Sequence, residues 1–427
     1  MIDQFKLRNG VRVLCERMES IRSVSVGVWI GAGSRYESEE HFGVSHFIEH
    51  MLFKGTRRRT TRQIAEEIDF VGGQMNAFTA KDCTCFYTKT LDSHLELAVD
   101  ILSDILRNSK LLTRDVNLER NVILEEINMY EDSPDELAHD ILMETAWRGC
   151  SLGNPILGRP ETLKRTDRAA MRGFMASRYV PGNMVISVAG CFDAPALHAL
   201  LEKYFGVFKG TEARDGFFEA SDNAQYTADT HIKQKDTEQI NLCVGFEGVE
   251  LGNDDIYALH LANSIFGGGM SSALFQKIRE ELGLAYSIYS YVSAFRRAGM
   301  FTIYAGMQPE NAERVFNIVL DEIKAFKESG MTADLLKKSK EQFKGSFYMG
   351  LENPTARMTA MGKSALLLGY INTPDEVVAK IEKVTLDDTY NVISRIFDMD
   401  KLAVSAVGRI DGGLEATLAR QARHDIA

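Results

Sequence analysis

The order of strands and helices predicted for the first half of this chain recurs in the second half. In the first half, alternating apolar residues at Val24–Ile30 predict a strand, and a glycine-containing turn leads from it into a helix near Val44. In the second half, Ile240–Gly245 predicts the corresponding strand and Asp255–Phe266 the corresponding helix. A repeat distance of about 210 residues indicates two duplicated domains rather than a stack of short repeats.

A mixture of strands and long helices predicts an α+β fold built in layers. We expect the first domain to span residues 1–210 and the second to span residues 230–427. The intervening segment 211–229 is polar and has little periodicity, so we interpret it as a linker between the domains.

The predicted helix near Val44 carries two histidines and a glutamate at the spacing of a metal-binding motif. His46 and His50 are four residues apart, so their side chains lie one turn apart on the same face. Glu49 faces roughly the same way and places a carboxylate beside the ion without having to bind it. The order His-x-x-Glu-His is the inverted-zincin pattern, in which zinc lowers the pKa of a water molecule from 15.7 to about 7.

A solvated polar face of an ordinary helix is the alternative interpretation of this motif. The residues around it are apolar, however, and burying polar groups without partners is costly. A structural zinc is a second alternative, but such sites are normally four-coordinate and contain cysteine, and no cysteine lies near the motif. The apolar neighbours are Val44, Phe47, Ile48, Met51, Leu52 and Phe53.

A catalytic zinc normally has three protein ligands and one open position, so a third ligand is needed. The best candidates lie in a predicted helix, where Glu119 and Glu126 are seven residues apart on one side. Glu125 lies about 100° around the same helix. One of the pair could bind the metal while the other holds a histidine in one tautomer. We expect the apolar face of this helix to consist of Leu118, Val122, Ile123 and Ile127.

These spacings resemble those of the pitrilysin, insulinase and mitochondrial-processing-peptidase family of zinc metallopeptidases. In that family the third ligand is a glutamate about 76 residues after the second histidine, and here 126 − 50 = 76. A further family glutamate, seven residues earlier, falls on Glu119. The resemblance continues through residues 130–134 and covers essentially the whole chain. It implies one zinc ion per chain held by His46, His50 and Glu126, with Glu119 supporting a histidine.

The resemblance also implies the fold and the chemistry. The fold would consist of two homologous α/β-sandwich domains of the type found in LuxS and mitochondrial-processing-peptidase-like metallohydrolases. Glu49 would act as the general base of a half-size, bacterial processing-peptidase-like metalloendopeptidase. The second domain has no His-x-x-Glu-His motif, so we expect it to be an inactive homologue that contributes to substrate binding.

A short strand of the first domain matches the family's edge strand, which pairs with an extended peptide substrate. Such pairing supplies hydrogen bonds that do not depend on the peptide's sequence, while pockets for alternate side chains set preference. An ordinary strand without a substrate role is the open alternative. The residues concerned are Asn76, Ala77, Phe78 and Thr79.

In the second domain, Gly267–Gly269 lacks the lysine and the spacing of a phosphate-binding loop, so we interpret it as a turn before a helix at 271–282. Arg279 and Tyr286 match a family arginine and tyrosine that hold the scissile carbonyl and its developing oxyanion. Packing or capping near a helix end is the alternative role for these two side chains. The family usually has arginine where this chain has Ala273, so one basic contact is missing.

Family members carry four such domains in one chain, or bring two two-domain chains together around a closed chamber. We therefore expect a homodimer, or a heterodimer with a related chain, that admits short or unfolded peptides. A non-catalytic partner or scaffold subunit is the alternative function. Such subunits usually lose motif residues, whereas this chain keeps all of them.

The charge and hydropathy of the chain limit its partners. The net charge is −11 and the isoelectric point about 5.4, which argues against a nucleic-acid-binding surface. The first residues contain no apolar run typical of a secretory signal, and no stretch approaches the length that spans a bilayer. We therefore expect no membrane partner and a cytoplasmic location. The six scattered cysteines, including Cys83 and Cys85 on one face of a strand, are interpreted as small core residues.

Overall fold

The computed structural model describes residues 2–210, 224–410 and 412–424. Of the expected linker 211–229, residues 211–223 lie outside the described residues. The chain forms two compact units, each assembled from discontinuous segments. Unit 1 consists of the described parts of Met1–Ile127, Asn154–Ser221 and Tyr348–Thr373, and unit 2 of those of Asn128–Gly153, Asp222–Phe347 and Pro374–Ala427.

The strands and helices are numbered along the chain. The strands are β1 Ile2–Lys6, β2 Arg12–Arg17, β3 Ser23–Ile30, β4 Gln74–Thr79, β5 Thr84–Leu91, β6 Met184–Gly190, β7 Thr230–Gln234, β8 Ile240–Glu247, β9 Ala285–Phe295, β10 Ala298–Met307 and β11 Ala403–Gly408. The helices are α1 Val44–Leu52, α2 Thr61–Asp69, α3 Leu95–Asn108, α4 Thr113–Glu131, α5 Pro134–Ala146, α6 Pro160–Arg165, α7 Arg168–Arg178, α8 Ala194–Tyr204, α9 Asp255–Phe266, α10 Ala312–Ser329, α11 Ala333–Gly350, α12 Pro354–Leu367, α13 Pro374–Lys383, α14 Leu386–Ile396 and α15 Gly412–His424. Within the described part of the chain, no helix has the length and apolar character needed to cross a membrane.

The sheets of the two units share five strands in the same order, and the six-stranded sheet of unit 1 has β1 as an additional strand at one edge. The sheet of unit 1 has the order β1-β2-β6-β3-β5-β4, and that of unit 2 has the order β7-β11-β8-β10-β9. In each sheet one parallel pair, β2 with β6 or β7 with β11, is followed by three antiparallel pairs in the same sequence. The predicted α+β class and the predicted duplication are therefore confirmed.

Helix α12, from the second half of the chain, packs on the sheet of unit 1. Ser25 on β3 is hydrogen-bonded to Thr355 through their hydroxyls at 2.9 Å, and the Arg12 side chain donates to the carbonyl of Ala365 at 2.8 Å. Gly362 allows the helix to approach closely, because a Cβ there would overlap the indole of Trp29. The opposite face of the sheet packs on α3, which buries its apolar side in the core of unit 1.

Helix α5, from the first half of the chain, packs on the sheet of unit 2 in the same way. Its residues Ala138 and Leu142 are buried against Cys243 and Val407 of the strands. The Ser405 hydroxyl donates to the carbonyl of Ala138 at 2.6 Å. The compact units therefore do not coincide with the contiguous boundaries expected from the sequence, because each half of the chain contributes one helix to the other sheet. Composition marks a linker, but it does not show which sheet a helix will cover.

Helix α4 buries a different face from the one expected. Leu118 and Val122 are 66% and 50% exposed, so their predicted burial is wrong. Val116, Glu119 and Ile123 form the buried side instead. Apolar periodicity misplaces this face because one of its buried positions is a glutamate with specific polar partners.

Candidate metal centre

Helix α1 presents two histidines on one side while its apolar residues fill the core of unit 1. Phe47, Ile48 and Met51 are fully buried in that core. The imidazole rings of His46 and His50 lie next to each other, with their centroids 4.5 Å apart. Core packing of the apolar side thus fixes the direction in which the two rings point.

The N-terminus of α1 is held by a buried carboxylate. Both oxygens of Glu37 accept backbone hydrogen bonds, from Gly43 at 2.6 Å and from Ser45 at 2.7 Å. Gly43 has a φ of +92°, in the left-handed region that favours glycine, and a Cβ there would lie 2.6 Å from the carbonyl oxygen of Leu157. Burial raises the pKa of Glu37 to about 8, against the two backbone hydrogen bonds that lower it. The sequence analysis missed Glu37, since no motif spacing points to it.

Glu126 on α4 faces both histidines. One carboxylate oxygen lies 3.8 Å from Nε2 of His46, and the other lies 3.6 Å from Nε2 of His50. A ligand atom from each of the three residues can be chosen so that all three atoms lie within 4.8 Å of one another. The structure thus brings together the three side chains that the sequence analysis assigns to the metal, and they form the only such group found among the described residues.

The geometry of these three residues fits a zinc ion. Zinc bonds of about 2.0–2.2 Å in a tetrahedral arrangement place neighbouring ligand atoms about 3.3–3.6 Å apart. The distances of 3.6 and 3.8 Å from Glu126 to the two imidazoles are close to these values and too long for good hydrogen bonds. Two imidazole nitrogens and one carboxylate oxygen are also the donor set of many catalytic zinc sites.

Glu119 orients the second histidine. Its Oε1 lies 2.9 Å from Nδ1 of His50, and its Oε2 lies 2.5 Å from the ammonium of Lys54. With Nδ1 donating to this carboxylate, Nε2 of His50 is left free to face Glu126. Lys54 was not predicted, because it lies two residues beyond the end of α1, where helical spacing no longer applies.

The pKa values in the site follow from burial and from these contacts. Burial, followed by the charge of His50, lowers the pKa of His46 to about 3, so His46 is uncharged at neutral pH. Burial lowers the pKa of His50, but the hydrogen bond to Glu119 and the charge of Glu126 outweigh it, and the net direction is upward. Burial raises the pKa of Glu126. A bound cation favours neutral imidazoles and an ionised carboxylate.

Glu49 stands beside the ligands and is held by a threonine. The hydroxyl of Thr79, at the end of β4, donates to Oε2 of Glu49 at 2.6 Å. Burial raises the pKa of Glu49, while this hydrogen bond lowers it. The sequence analysis assigned Thr79 to substrate binding and gave no signal for this contact, because the two residues are 30 positions apart.

The strand β4 lies at the edge of its sheet, as the sequence analysis expected, and pairs only with β5 among the strands described. Ala77 donates its amide to the side chain of Asn76 at 2.8 Å. Phe78 is 36% exposed and packs edge-on against Trp29, with ring centroids 5.6 Å apart. A cavity of about 510 Å³ lies beside the strand, and it is lined in part by Phe53, Ile64, Ile68, Met75 and Tyr87.

Arg279 and Tyr286 belong to unit 2, where their side chains are neighbours. The guanidinium of Arg279 lies 5.3 Å from the centre of the Tyr286 ring and 4.8 Å from that of Phe275. Tyr286 is 73% exposed, so it is not a core residue. The helix expected at 271–282 is instead a π-helix at Phe275–Glu281. Widened turns of this kind often occur at functional sites.

The cysteines take no part in the site. Cys15, Cys83, Cys85 and Cys243 are buried, and Cys150 and Cys191 are partly buried. None of these six cysteines forms a disulfide bond. The four buried cysteines agree with their interpretation as small residues of the core, whereas Cys150 and Cys191 lie at its margin.

Comparison with known proteins identifies the family. The sequence profile of the insulinase family (peptidase family M16) matches residues 12–160, and that of the peptidase M16 inactive domain matches residues 165–343. A Bacillus subtilis protein named uncharacterized zinc protease YmxG is 41% identical over 94% of this chain and 97% of its own length. The uncharacterized zinc protease SCO5738 of Streptomyces coelicolor is 38% identical over 90% and 84%, respectively.

A solved structure shares the fold. The crystal structure of a protease from Helicobacter pylori matches with a TM-score of 0.89 at 20% identity, over 96% of this chain and 99% of that one. The fold and the sequence matches agree with the resemblance inferred from the motif spacing. The chain therefore belongs to the insulinase family of peptidases, family M16.

Proposed function

We propose that the chain is a zinc-dependent endopeptidase that hydrolyses short or unfolded peptides. The observation that carries this proposal is the convergence of His46, His50 and Glu126, with the carboxylate of Glu49 beside them. Two relatives that are named uncharacterized zinc proteases, and that match this chain over 97% and 84% of their own lengths, support it.

Each residue of the site has its own chemical role. When bound, zinc supplies a Lewis acid and lowers the pKa of a water molecule to about 7. His46, His50 and Glu126 would hold one ion per chain, and Glu119 would keep His50 in the tautomer that binds. Glu49 accepts a proton from the attacking water and returns it to the leaving amine.

Substrate binding is assigned to β4 and to unit 2. The free edge of β4 at Asn76–Thr79 offers main-chain groups to an extended peptide, and the neighbouring cavity suits one of its apolar side chains. Arg279 and Tyr286 hold the scissile carbonyl and stabilise its developing negative charge. Both side chains are polar at the tip and partly or largely exposed, as a substrate contact requires.

The active assembly is proposed to be a homodimer, or a heterodimer with a related chain. Two-domain members of the resembled family pair in this way around a chamber. Light scattering on an active sample would give the mass of two chains. A mass of one chain in that sample would contradict the proposal.

The test of function combines zinc analysis with a peptidase assay. The purified chain should bind zinc and cleave a fluorogenic peptide, and Glu49→Gln should keep zinc while losing activity by about 100-fold or more. Glu126→Ala should lose the metal, whereas Glu125→Gln, at an exposed neighbouring position, should keep both metal and activity.

Two outcomes would contradict the proposed mechanism. If Glu49→Gln cleaves peptides at the wild-type rate, Glu49 is not the general base. A dimer that binds no zinc and cleaves no peptide would identify the chain as a non-catalytic or scaffold subunit.

A further inference from the structure

Unit 1 carries a group of basic side chains around one backbone carbonyl, and none of them is among the residues assigned to the metal. The guanidinium of Arg168 donates to the carbonyl oxygen of Lys110 at 3.3 Å, and that of Arg172 donates to the same oxygen at 3.2 Å. Arg57 is a third cation of the group, close enough for its charge to act on Arg172. We call Arg57, Lys110, Arg168 and Arg172 the arginine cluster.

The backbone around the cluster is fixed by pairing of two loops. The amide of Arg57 donates to the carbonyl of Asn108 at 3.0 Å, and the amide of Lys110 donates to that of Gly55 at 3.2 Å. An isolated β-bridge between Thr56 and Ser109 lies between these two bonds. Arg57 and Lys110 therefore sit on facing backbone segments rather than on independent loops.

The placement of these cations is unfavourable for the isolated chain. Arg168 and Arg172 are four residues apart on α7, where like charges repel. They also occupy the first turns of that helix, where the dipole disfavours positive charge. The nearest acidic residue in sequence, Asp167, uses its carboxylate to cap the amide of Ala170 at 2.8 Å.

The cluster also lacks counter-charges. Among the described residues, no carboxylate lies within 4.0 Å of the side-chain nitrogens of Arg57, Arg168 or Arg172, although the chain as a whole carries a net charge of −11. The adjacent arginines differ, since Arg58 and Arg59 both form ion pairs with Asp100. A shortage of acidic residues in the region therefore does not explain why the cluster has no ion pairs.

We propose that the arginine cluster binds the phosphate group of a soluble phosphate or phosphate monoester. Guanidinium groups match phosphate oxygens with paired N–H donors, and a group of several guanidiniums suits a dianion. Arg168 and Arg172 each donate from one terminal nitrogen to the Lys110 carbonyl. This leaves the other N–H groups of each guanidinium for a ligand.

Two further observations support this site. Burial, followed by the charges of Arg168 and Arg57, lowers the pKa of Arg172, and an anion between the guanidiniums would relieve that repulsion. Arg57, Arg168 and Arg172 are exposed, so a dissolved ligand can reach them. A nucleic acid or a lipid surface fits less well, because the acidic chain as a whole repels an extended array of phosphates.

The proposal is independent of peptidase activity, and its test uses binding alone. Inorganic phosphate is titrated into the zinc-loaded protein by calorimetry in chloride buffer at constant ionic strength. We expect one saturable site per chain, weakened at least tenfold in Arg168→Gln/Arg172→Gln. Phosphate that binds at the metal would give the same calorimetric signal in the wild type and in this variant.

A matched control separates a built site from general electrostatics. Arg22→Gln/Arg62→Gln removes two exposed, ion-paired arginines from the same unit and should leave phosphate affinity within twofold of wild type. If the double variant of the cluster fails to fold, the single variant Arg57→Gln replaces it, because Arg57 is exposed and the hydrogen bond described for it, to the carbonyl of Asn108, comes from its backbone amide.

Three results would overturn the proposal. The first is no saturable phosphate binding up to about 10 mM, a concentration that would reveal even a weak site. The second is an equal loss of affinity in the control variant. The third is binding to vesicles that contain phosphatidic acid without any binding of free phosphate, which would identify a membrane contact.

Discussion

The hydroxyl of Thr79 lies 2.6 Å from a carboxylate oxygen of Glu49. This bond joins the end of the edge strand β4 to the motif helix α1. It places the proposed general base and the proposed peptide-binding strand in one rigid arrangement. Binding a peptide along β4 would thus bring its carbonyl to the base in a defined position.

Removal of this hydroxyl should impair catalysis. Thr79→Val keeps the shape of the side chain and loses a hydrogen bond to a charged group, so we expect kcat/KM to fall on the order of 10–100-fold. The bond favours the ionised form of Glu49 and lowers its pKa, so its loss should move the acid limb of the pH–rate profile to higher pH. Steady-state kinetics from pH 5 to 9 measure both effects.

Thr79→Ser is the matched control, because it keeps the donor and should retain most of the activity and the original acid limb. An unchanged profile in Thr79→Val would show that the hydroxyl does not position the base.

The carboxylate behind His50 should determine zinc affinity. Glu119→Gln removes the charge that faces Nδ1 of His50 and the ammonium of Lys54, so zinc should bind about 10–100-fold more weakly. Competition with a chromogenic chelator measures the affinity. Glu125→Gln, exposed on the same helix, provides the control and should bind zinc as the wild type does. Equal affinities in both variants would refute the orienting role of Glu119.

The contact between α12 and the sheet of unit 1 should be sensitive to one added carbon. Gly362→Ala introduces a Cβ that overlaps the buried indole of Trp29, and we expect the free energy of unfolding to fall by about 1–3 kcal/mol. The same change at Gly345, in the exposed part of α11, meets nothing within 4 Å and should stabilise by about 0.5–1 kcal/mol. Urea denaturation compares the two variants. A Gly362→Ala protein as stable as the wild type would argue against the close packing of this helix.

Ionisation of Glu37 should make stability depend on pH. Burial raises its pKa in the folded state to about 8, well above the ordinary value of 4.5. A raised carboxyl pKa means that the folded state holds the proton more tightly. The contribution of this raised pKa to the stability of the fold is fully present below about pH 4.5, and it is lost as the pH rises through 8. The expected loss is on the order of 1 kcal/mol per pH unit within this window.

Glu37→Gln cannot ionise at this position. The unfolding free energy of the wild type minus that of the variant should therefore decrease from pH 5 to 8. Denaturation at several pH values, with zinc at a constant level, measures this difference. A difference that is constant across the window would show that Glu37 keeps one protonation state in the folded and unfolded chain.

Sequence periodicity predicted much of the fold because the signals are local. The alternation at Val24–Ile30 and the helical spacing near Val44 correspond to β3 and α1 in the structure. Recurrence of the same pattern predicted two equivalent sheets, which the pairing of the strands confirms. The exposed face of α4 was predicted wrongly, since Leu118 and Val122 are apolar and yet lie outside the core.

The sequence alone determined the motif helix, with His46 and His50 one turn apart, because helical spacing fixes the relation between residues that are close in the chain. Its resemblance to a known family also singled out Glu126, whose place beside the histidines depends on how α4 packs. Only the tertiary structure decided the contact of Thr79 with Glu49 and the exchange of α5 and α12 between the two sheets. Such pairings depend on complementary surfaces brought together by the folded chain, and no local pattern encodes which distant surface a residue will meet.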